Sequence, residues 1–192
     1  MKVIAFNGSP RESGNTGVLI RTVFEVLEEH GIETEVLPLG RSNIRGCTAC
    51  YSCFESKDES CPSIQDDVVN EYFAKMVQAD GIIIGSPTYF ANVSTEVKAL
   101  IDRAGLLAIA NGHALKRKVG AAVVSVRRAG AANVFDAINK FFLINQMLVP
   151  GSSYWNLGIG HTEARVEDDE EGLRTMRVLG ENMAWLLEKT AG

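Results

Sequence analysis

Four cysteines lie close together in the sequence and could act as one set of ligands. Cys47, Cys50 and Cys53 are each separated by two residues, and the fourth, Cys61, is followed by Pro62. Three thiolates at this spacing can take three corners of a cubane iron–sulfur cluster, and a more distant Cys-Pro can supply the fourth. The pattern therefore favours an iron–sulfur cluster. Tetrahedral zinc, which more often uses two separated Cys-x-x-Cys pairs, is an alternative, as are thiol redox chemistry and a site left empty.

A second stretch, Asn7–Thr16, has the residue types of an anion-binding turn. It follows the short apolar run Val3–Phe6, which is typical of a buried strand, and precedes a segment whose apolar residues recur at helical spacing. Gly8 and Gly14 allow the backbone to turn tightly. The N-terminus of the following helix favours an anion through its unpaired N–H groups and its dipole. We therefore predict a phosphate site with the side-chain donors Ser9, Arg11, Ser13, Asn15 and Thr16.

The spacing of this turn narrows the class of phosphate ligand. The turn lacks the Gly-Lys-Ser/Thr ending of a Walker A loop, and Pro10 stands where a dinucleotide fingerprint needs a glycine. Hydroxyl groups around a single phosphate-sized gap suit a mononucleotide in a flavodoxin-like sheet. The alternative is an ordinary strand-to-helix turn with a good N-cap.

Two later loops carry residues that suit a planar redox-active ring. In Ser86–Asn92, Pro87 stiffens the turn, Tyr89 and Phe90 offer flat apolar surface, and backbone N–H groups can face the polar edge of a heterocycle. In Arg127–Gly130, two adjacent arginines could place positive charge near the pyrimidine edge of a flavin and stabilise its anionic reduced ring. The alternatives are that the aromatic residues belong to the core and that the arginines are solvated.

These loops are predicted to connect strands and helices that alternate along the chain. Strands are predicted over residues 3–6, 34–39, 81–85, 119–126 and 147–149. Helices are predicted from about Asn15, from Asp66 or Asp67, from Ser94 or Thr95, over 133–146, and after the acidic run Glu167–Glu171, which we interpret as a solvated face. This alternation requires a parallel sheet with helices on both faces. With strand order 2-1-3-4-5, the loops after strands 1, 3 and 4 should line one crevice.

The composition is that of one α/β domain over residues 1–192, with a cysteine-rich loop at about 44–64 and a C-terminal helical tail at about 168–190. A net charge of -5 argues against nucleic acid or an anionic membrane as the main partner. The sequence shows neither a membrane-span run nor a signal-peptide pattern, and the cysteines are too concentrated for a disulfide framework, so we predict a cytoplasmic protein. His113 and His161 are interpreted as loop residues, because nothing near either completes a triad or a metal set.

Four motifs together make the chain similar to the NADPH-dependent FMN reductase group of flavodoxin-like proteins, and within it to the iron–sulfur flavoproteins. They are G-S-P-R-x-x-G-N-T from Gly8 to Thr16, the compact cysteine motif, G-S-P-T-Y-F-A-N from Gly85 to Asn92, and V-K-A-L-I-D-R from Val97 to Arg103. The similarity spans most of the chain.

The resemblance implies a set of cofactors and their binding residues. It implies FMN with its phosphate on Ser9, Arg11, Ser13, Asn15 and Thr16, its ring against Pro87, Thr88, Tyr89, Phe90 and Asn92, and a [4Fe–4S] cluster on Cys47, Cys50, Cys53 and Cys61. Ser86, Arg127 and Arg128 complete our candidate flavin site.

The same resemblance implies a function in electron transfer. FMN would exchange a hydride or two electrons, the cluster would exchange single electrons with a redox partner protein or a small-molecule acceptor, and NAD(P)H is a candidate donor. No acid, base or nucleophile is required. Proteins of this kind are usually homodimers or homotetramers. A clusterless NAD(P)H-dependent FMN, quinone or azo reductase and a non-enzymatic flavodoxin-like electron carrier are the alternatives.

Overall fold

A computed structural model describes residues 1–161 and 165–190 as a five-stranded parallel sheet with helices on both faces. The strands are β1 (Lys2–Asn7), β2 (Glu33–Pro38), β3 (Gly81–Pro87), β4 (Val119–Val126) and β5 (Leu157–Ile159). The helices are α1 (Asn15–Glu29), α2 (Ser52–Ser56), α3 (Val69–Gln78), α4 (Thr95–Ala110), α5 (Ala131–Ile144) and α6 (Glu170–Thr190), and a 3-10 turn covers Val166–Asp168. The sheet order β2-β1-β3-β4-β5 confirms the predicted topology.

The core lies on both faces of the sheet, which explains the continuous apolar runs in the central strands. Every residue of β3 and β4 is buried. Alternate residues of the central strands, such as Ala5 and Ile83, pack against α1 and α6, whereas Ile4 and Ile82 pack against α3, α4 and α5. The carboxyl ends of the strands are thereby held at one edge of a rigid scaffold.

The predicted fifth strand over Met147–Val149 is wrong. In this stretch Leu148 makes only a single parallel bridge with Val119 at the start of β4. Pro150 follows and has no N–H group to continue the ladder. The chain then passes along the edge of the sheet and pairs further up, where β5 lies beside Val124–Val126.

Several helix boundaries also differ from the sequence predictions. The cysteine loop contains the short helix α2, α3 begins at Val69, and α5 spans residues 131–144 instead of 133–146. Val69 begins α3 after Asp67, whose Oδ1 atom accepts the Val69 N–H at 3.2 Å. The predicted start of α4 is confirmed, with Ser94 as the N-cap that accepts the Val97 N–H.

The acidic run before the last helix is only partly a solvated face. The carboxylate of Asp169 accepts the Gly172 N–H at 3.0 Å, which caps α6, and the Ile159 N–H at 2.7 Å, which attaches this helix to β5. Its neighbours Glu167, Asp168, Glu170 and Glu171 are mostly exposed. Among the described residues, no helix is long and apolar enough to cross a membrane.

Candidate functional site

The Asn7–Thr16 turn is held by hydrogen bonds within itself. The Asn7 side chain accepts the Ser9 N–H at 3.0 Å, the Ser9 hydroxyl accepts the Arg11 N–H at 3.2 Å, and the Arg11 carbonyl accepts the Gly14 N–H at 3.0 Å. A Cβ atom on Gly17 would lie 2.1 Å from the Glu12 carbonyl oxygen. The turn therefore folds back onto the first turn of α1 at a distance that only glycine permits.

The N-terminus of α1 opens beside this turn. No side chain caps the helix, so the N–H groups of its first turn, from Asn15 to Gly17, have no intrahelical acceptor. The positive end of the helix dipole lies at the same place. Together with the hydroxyls of Ser9, Ser13 and Thr16, this end of α1 has the donor set of a phosphate site.

The loop after β3 is attached to the end of β4. The N–H and the hydroxyl of Thr88 both donate to the Ser125 carbonyl, at 2.8 and 3.0 Å, and the Tyr89 N–H donates to the Asn92 carbonyl at 2.9 Å. The N–H groups of Thr88 and Tyr89 are therefore used within the protein, and the expectation that such groups face a ring is not met at these two positions. Phe90 and Ala91 then adopt left-handed backbone conformations, with φ of 48° and 58°.

These loops enclose a cavity of about 960 Å³ at the carboxyl edge of the sheet. This volume is at the upper end of the range for small-molecule and cofactor sites. Of the residues predicted to bind a flavin, the cavity is lined by Ser9, Arg11, Ser13, Asn15, Thr16, Pro87, Thr88, Tyr89 and Arg127. The predicted convergence of the loops after β1, β3 and β4 is what the structure shows, whereas binding of FMN by each of these residues stays a prediction.

Four predicted residues lie outside the lining of this cavity. The Ser86 hydroxyl is fully buried, where it donates to the Pro87 carbonyl and accepts the Ser94 N–H. The Asn92 side chain accepts the N–H of Val93. Phe90 and Arg128 are exposed, and the Phe90 side chain has a relative exposure of 107%. These positions shape or flank the loops and do not form the wall.

Sequence reasoning missed several residues of the wall. Ser125 is the penultimate residue of β4, and its hydroxyl is 2.7 Å from the Thr16 hydroxyl, which joins α1 to β4. Arg41, which follows β2, also lines the cavity. Topology was the available signal for both, because residues that follow adjacent parallel strands meet at one edge.

The segment after β5 supplies another wall that the sequence did not predict. It contributes Gly160, His161, Arg165 and Glu167. A Cβ atom on Gly160 would lie 2.5 Å from the Asn15 side-chain nitrogen, so this segment packs closely on the start of α1. The misplaced fifth strand hid this wall, and His161, interpreted as a loop residue, lies in a loop that lines the cavity. The lining includes four arginines, at positions 11, 41, 127 and 165, and two glutamates, at positions 12 and 167.

The four cysteines line a second, much smaller cavity of about 20 Å³ between their own segment and α4. This space is about the size of one water molecule. Cys53 is buried, Cys61 is partly buried, and Cys47 and Cys50 are exposed. Among residues 1–161 and 165–190, no three His, Cys, Asp or Glu side chains are arranged as a metal-ligand set. The structure thus brings the thiols to one cavity without placing them in ligand geometry.

Two of these thiols have pKa values shifted in opposite directions. Hydrogen bonds with the hydroxyls of Ser52 and Ser63 lower the pKa of Cys50 to about 6. Burial raises the pKa of the Cys53 thiol. Of these two, Cys50 more readily becomes a thiolate, which is the form that binds a metal or acts as a nucleophile.

The sequence profile of the NADPH-dependent FMN reductase family matches residues 1–162. The chain belongs to this family. Membership makes it a flavin-dependent oxidoreductase, as predicted. Within the FMN reductase family it groups with the iron–sulfur flavoproteins: it is 41% identical over 191 residues to an iron–sulfur flavoprotein of Methanocaldococcus jannaschii, with 96% of each chain covered.

Solved structures agree with the flavodoxin-like fold of this FMN reductase family member. RosB, solved with the bound intermediate 8-demethyl-8-formylriboflavin-5'-phosphate, gives a TM-score of 0.80 at 21% identity, covering 98% of this chain and 79% of RosB. A flavodoxin from the domain Archaea gives a TM-score of 0.61 at 19% identity, covering 98% of this chain and 99% of the flavodoxin. At these identities the likeness shows the fold alone.

Proposed function

We propose that this protein is an FMN-dependent oxidoreductase of the iron–sulfur flavoprotein type, which passes electrons between FMN, a [4Fe–4S] cluster and a redox partner. One observation supports the proposal above others. The loops after β1, β3 and β4 converge on one large cavity beside the uncapped N-terminus of α1, in a chain that belongs to the FMN reductase family.

The first turn of α1 is the proposed anchor for the FMN phosphate. Its N–H groups and the hydroxyls of Ser9, Ser13 and Thr16 would donate to the phosphate oxygens, and Arg11 would add a charge-assisted contact. The cavity is large enough to extend from this anchor to the loop after β3. The residues therefore fit a mononucleotide.

The loop after β3 is the proposed platform for the flavin ring. Pro87, Thr88 and Tyr89 line the cavity there, and Tyr89 is 41% exposed at its mouth. When bound, FMN supplies the hydride and two-electron chemistry. The protein holds the ring in place, and Arg127 in the wall would favour a negative charge on it.

The cysteine cavity is the proposed site of the [4Fe–4S] cluster. Four soft thiol ligands line it, and the lowered pKa of Cys50 favours the thiolate that such ligation requires. Cys47, Cys50, Cys53 and Cys61 would hold the cluster, whose chemistry is single-electron exchange. Because the cavity is only about 20 Å³, the segment that carries Cys47 and Cys50 would have to move outward on loading.

A clusterless NAD(P)H-dependent FMN, quinone or azo reductase is the second candidate. The observation that favours it is the size of the cysteine cavity, together with the absence of a metal-ligand arrangement within the described part of the chain. In this case the four thiols would remain free. The flavin cavity would then be the only redox site, with a small-molecule acceptor.

The proposed setting is the reducing cytoplasm, as a homodimer or homotetramer. The free cysteines suit a reducing compartment. Association is supported by exposed aromatic surface, because Tyr154, Trp155 and Trp185 are each more than half exposed. Sedimentation of the purified protein would test the oligomeric state.

The test of the proposed function is the cofactor content of anaerobically purified protein. We expect about one FMN per chain, with about four iron atoms and about four acid-labile sulfides. Absence of flavin would overturn the whole proposal. Flavin without iron or sulfide, combined with fast bleaching of the flavin by NAD(P)H, would favour the clusterless reductase.

A further inference from the structure

The most deeply buried ion pair among the described residues lies against the stretch that carries the four cysteines, residues 45–67, here called the cysteine segment. Arg103 of α4 is the largest fully buried side chain, and both it and its partner Asp67 have only 1% of their side-chain surface exposed. Burying two charges is costly unless they are paired and hydrogen-bonded. A pair of this kind at this position therefore needs an explanation beyond packing.

The pair joins the two ends of the cysteine segment. The Arg103 guanidinium donates to the Asp67 carboxylate, to the Arg45 carbonyl at 3.4 Å and to the Ile64 carbonyl at 2.9 Å. The Asp67 carboxylate in turn accepts the Arg45 N–H at 3.1 Å. Arg45 precedes the first cysteine, whereas Ile64 and Asp67 follow the last one. One side chain of α4 therefore closes the segment into a loop.

The same arginine also forms part of the wall of the cysteine cavity. Arg103 lines it together with Leu106 and Leu107 of the same helix. Its Nε–H group is buried and has no hydrogen-bond partner in the described part of the chain. A buried donor without an acceptor is unfavourable, and a donor on a cationic group favours an anionic acceptor. A set of thiolates around a cluster would be such an acceptor.

We propose that Arg103, oriented by Asp67, is a positioning residue of the cysteine cavity. It closes the segment that carries the four cysteines and places a positive charge beside the thiolates. The second half of this proposal rests on the proposed cluster. The first half concerns only the protein and holds with or without metal.

Because the two partners carry opposite charges, removing one or the other should shift the cluster potential in opposite directions, which a purely structural role would not do. Reduction of a cluster adds negative charge, and nearby charge is one of the factors that set its potential. Arg103→Met leaves the Asp67 carboxylate unpaired and should lower the midpoint potential, whereas Asp67→Asn leaves the arginine unpaired and should raise it. A role in packing alone would move both variants in the same direction.

The experiment compares Arg103→Met, Asp67→Asn and the double variant with Asp102→Asn. Asp102 is the matched control, because it pairs with Lys98 on the exposed side of α4. Two measurements use anaerobically purified protein: the midpoint potential of the cluster and the iron content. A third is the hydrogen exchange of amides between residues 45 and 67 in metal-free protein. Flavin content reports that each variant is folded.

We expect the single variants to shift the potential in opposite directions and to retain about tenfold less iron at limiting metal. The double variant should return the potential toward that of the wild type. All three should exchange amides faster between residues 45 and 67 in metal-free protein, whereas Asp102→Asn should match the wild type. If a single variant fails to fold, the double variant takes its place, because it buries no unpaired charge. Its amide hydrogen exchange then decides whether the pair holds the segment closed.

Two results would overturn the proposal. One is unchanged exchange and iron content in folded Arg103→Met protein, and the other is a potential shift of the same sign in both single variants. A wild-type protein that contains flavin but takes up no iron would instead refute the proposed cluster. Exchange in the metal-free variants would still decide whether Arg103 positions the segment.

Discussion

The two cavities of this molecule are built in different ways. The large cavity is formed by residues that directly follow strands, and hydrogen bonds such as Thr16 to Ser125 at 2.7 Å join its walls. The cysteine cavity lies on a segment that leaves the sheet after β2 and returns only at α3. Its ends are held by one buried ion pair, Arg103 with Asp67.

The two cavities obtain their shapes from different parts of the molecule. Strand ends are fixed by the core of the whole domain, so the large cavity of about 960 Å³ is already formed. The cysteine cavity of about 20 Å³ is fixed by a few side chains and would take its final shape with its ligand. Changes in one region should therefore leave the other region intact.

Removing one cysteine should change the iron content without changing the flavin content. Cys47→Ser removes one of four thiol ligands and should lower the iron content by about tenfold or more, while the flavin content stays that of the wild type. Ser56→Ala is the matched control in the same segment, because the Ser56 hydroxyl donates to the neighbouring Asp58 carboxylate at 3.0 Å. A parallel loss of flavin and iron would show that the two regions form one unit.

Gly17→Ala should have the opposite effect and weaken flavin binding without changing the iron content. Its methyl group would lie 2.1 Å from the Glu12 carbonyl oxygen and would force the phosphate turn away from α1. Overpacking of about 1–3 kcal/mol corresponds to FMN binding weakened by roughly fivefold to 150-fold, measured by fluorescence titration. Gly151→Ala is the control, because a Cβ atom there meets nothing within 4 Å. Unchanged FMN affinity in Gly17→Ala would place the phosphate elsewhere.

A smaller effect is expected from the hydrogen bond between Thr16 and Ser125, the joint between two walls of the large cavity. Ser125→Ala removes the hydroxyl that pairs with Thr16, and a lost hydrogen bond of about 1 kcal/mol should weaken FMN binding by roughly fivefold. Thr22→Val is the control on α1, since the Thr22 hydroxyl donates to the Val18 carbonyl of the same helix at 3.1 Å. Equal affinities for the two variants would contradict the role of this joint.

The smallest effect lies far from both cavities and depends on pH. Hydrogen bonding to Glu181, with a further contribution from Glu188, raises the pKa of His30 above its ordinary value of 6.5. The protonated ring therefore stabilises the contact between α1 and α6 below this value, and the stabilisation is lost as the pH rises through the raised pKa. His30→Gln should lower the melting temperature slightly at about pH 5.5 and not at about pH 8.5. A larger loss at the higher pH would contradict this assignment, and cofactor content should not change.

Much of the fold could be predicted from the sequence. The runs Val3–Phe6, Gly81–Gly85 and Val119–Val126 are continuously apolar and bounded by turn residues, so the sequence predicts their burial in a parallel sheet. The edge strand β5 has only three residues, and Ile159 is 48% exposed, so it carries no comparable signal. Met147–Val149 resembles a strand more closely, although Met147 alone of its three residues is buried and Leu148 makes a single bridge.

The site was predictable to the extent that it depends on strand ends. The side chains of the Asn7–Thr16 turn follow the first strand directly, and the structure places them at the cavity. Phe90 and Arg128 could not be placed, because their orientation depends on left-handed residues and on packing between loops, such as that of Gly130 on Ala91. The clamp of Arg103 on Asp67 joins residues that are distant in sequence, which no local pattern reveals.

The phosphate anchor can be tested by comparing the affinity of flavin-free protein for FMN with its affinity for riboflavin, which lacks the phosphate. If the first turn of α1 anchors the phosphate, two or more charge-assisted hydrogen bonds should make FMN bind at least about 100-fold more tightly than riboflavin. In Gly17→Ala, this preference should largely disappear. Equal affinities of the wild type for the two flavins would show that the first turn of α1 does not anchor the phosphate.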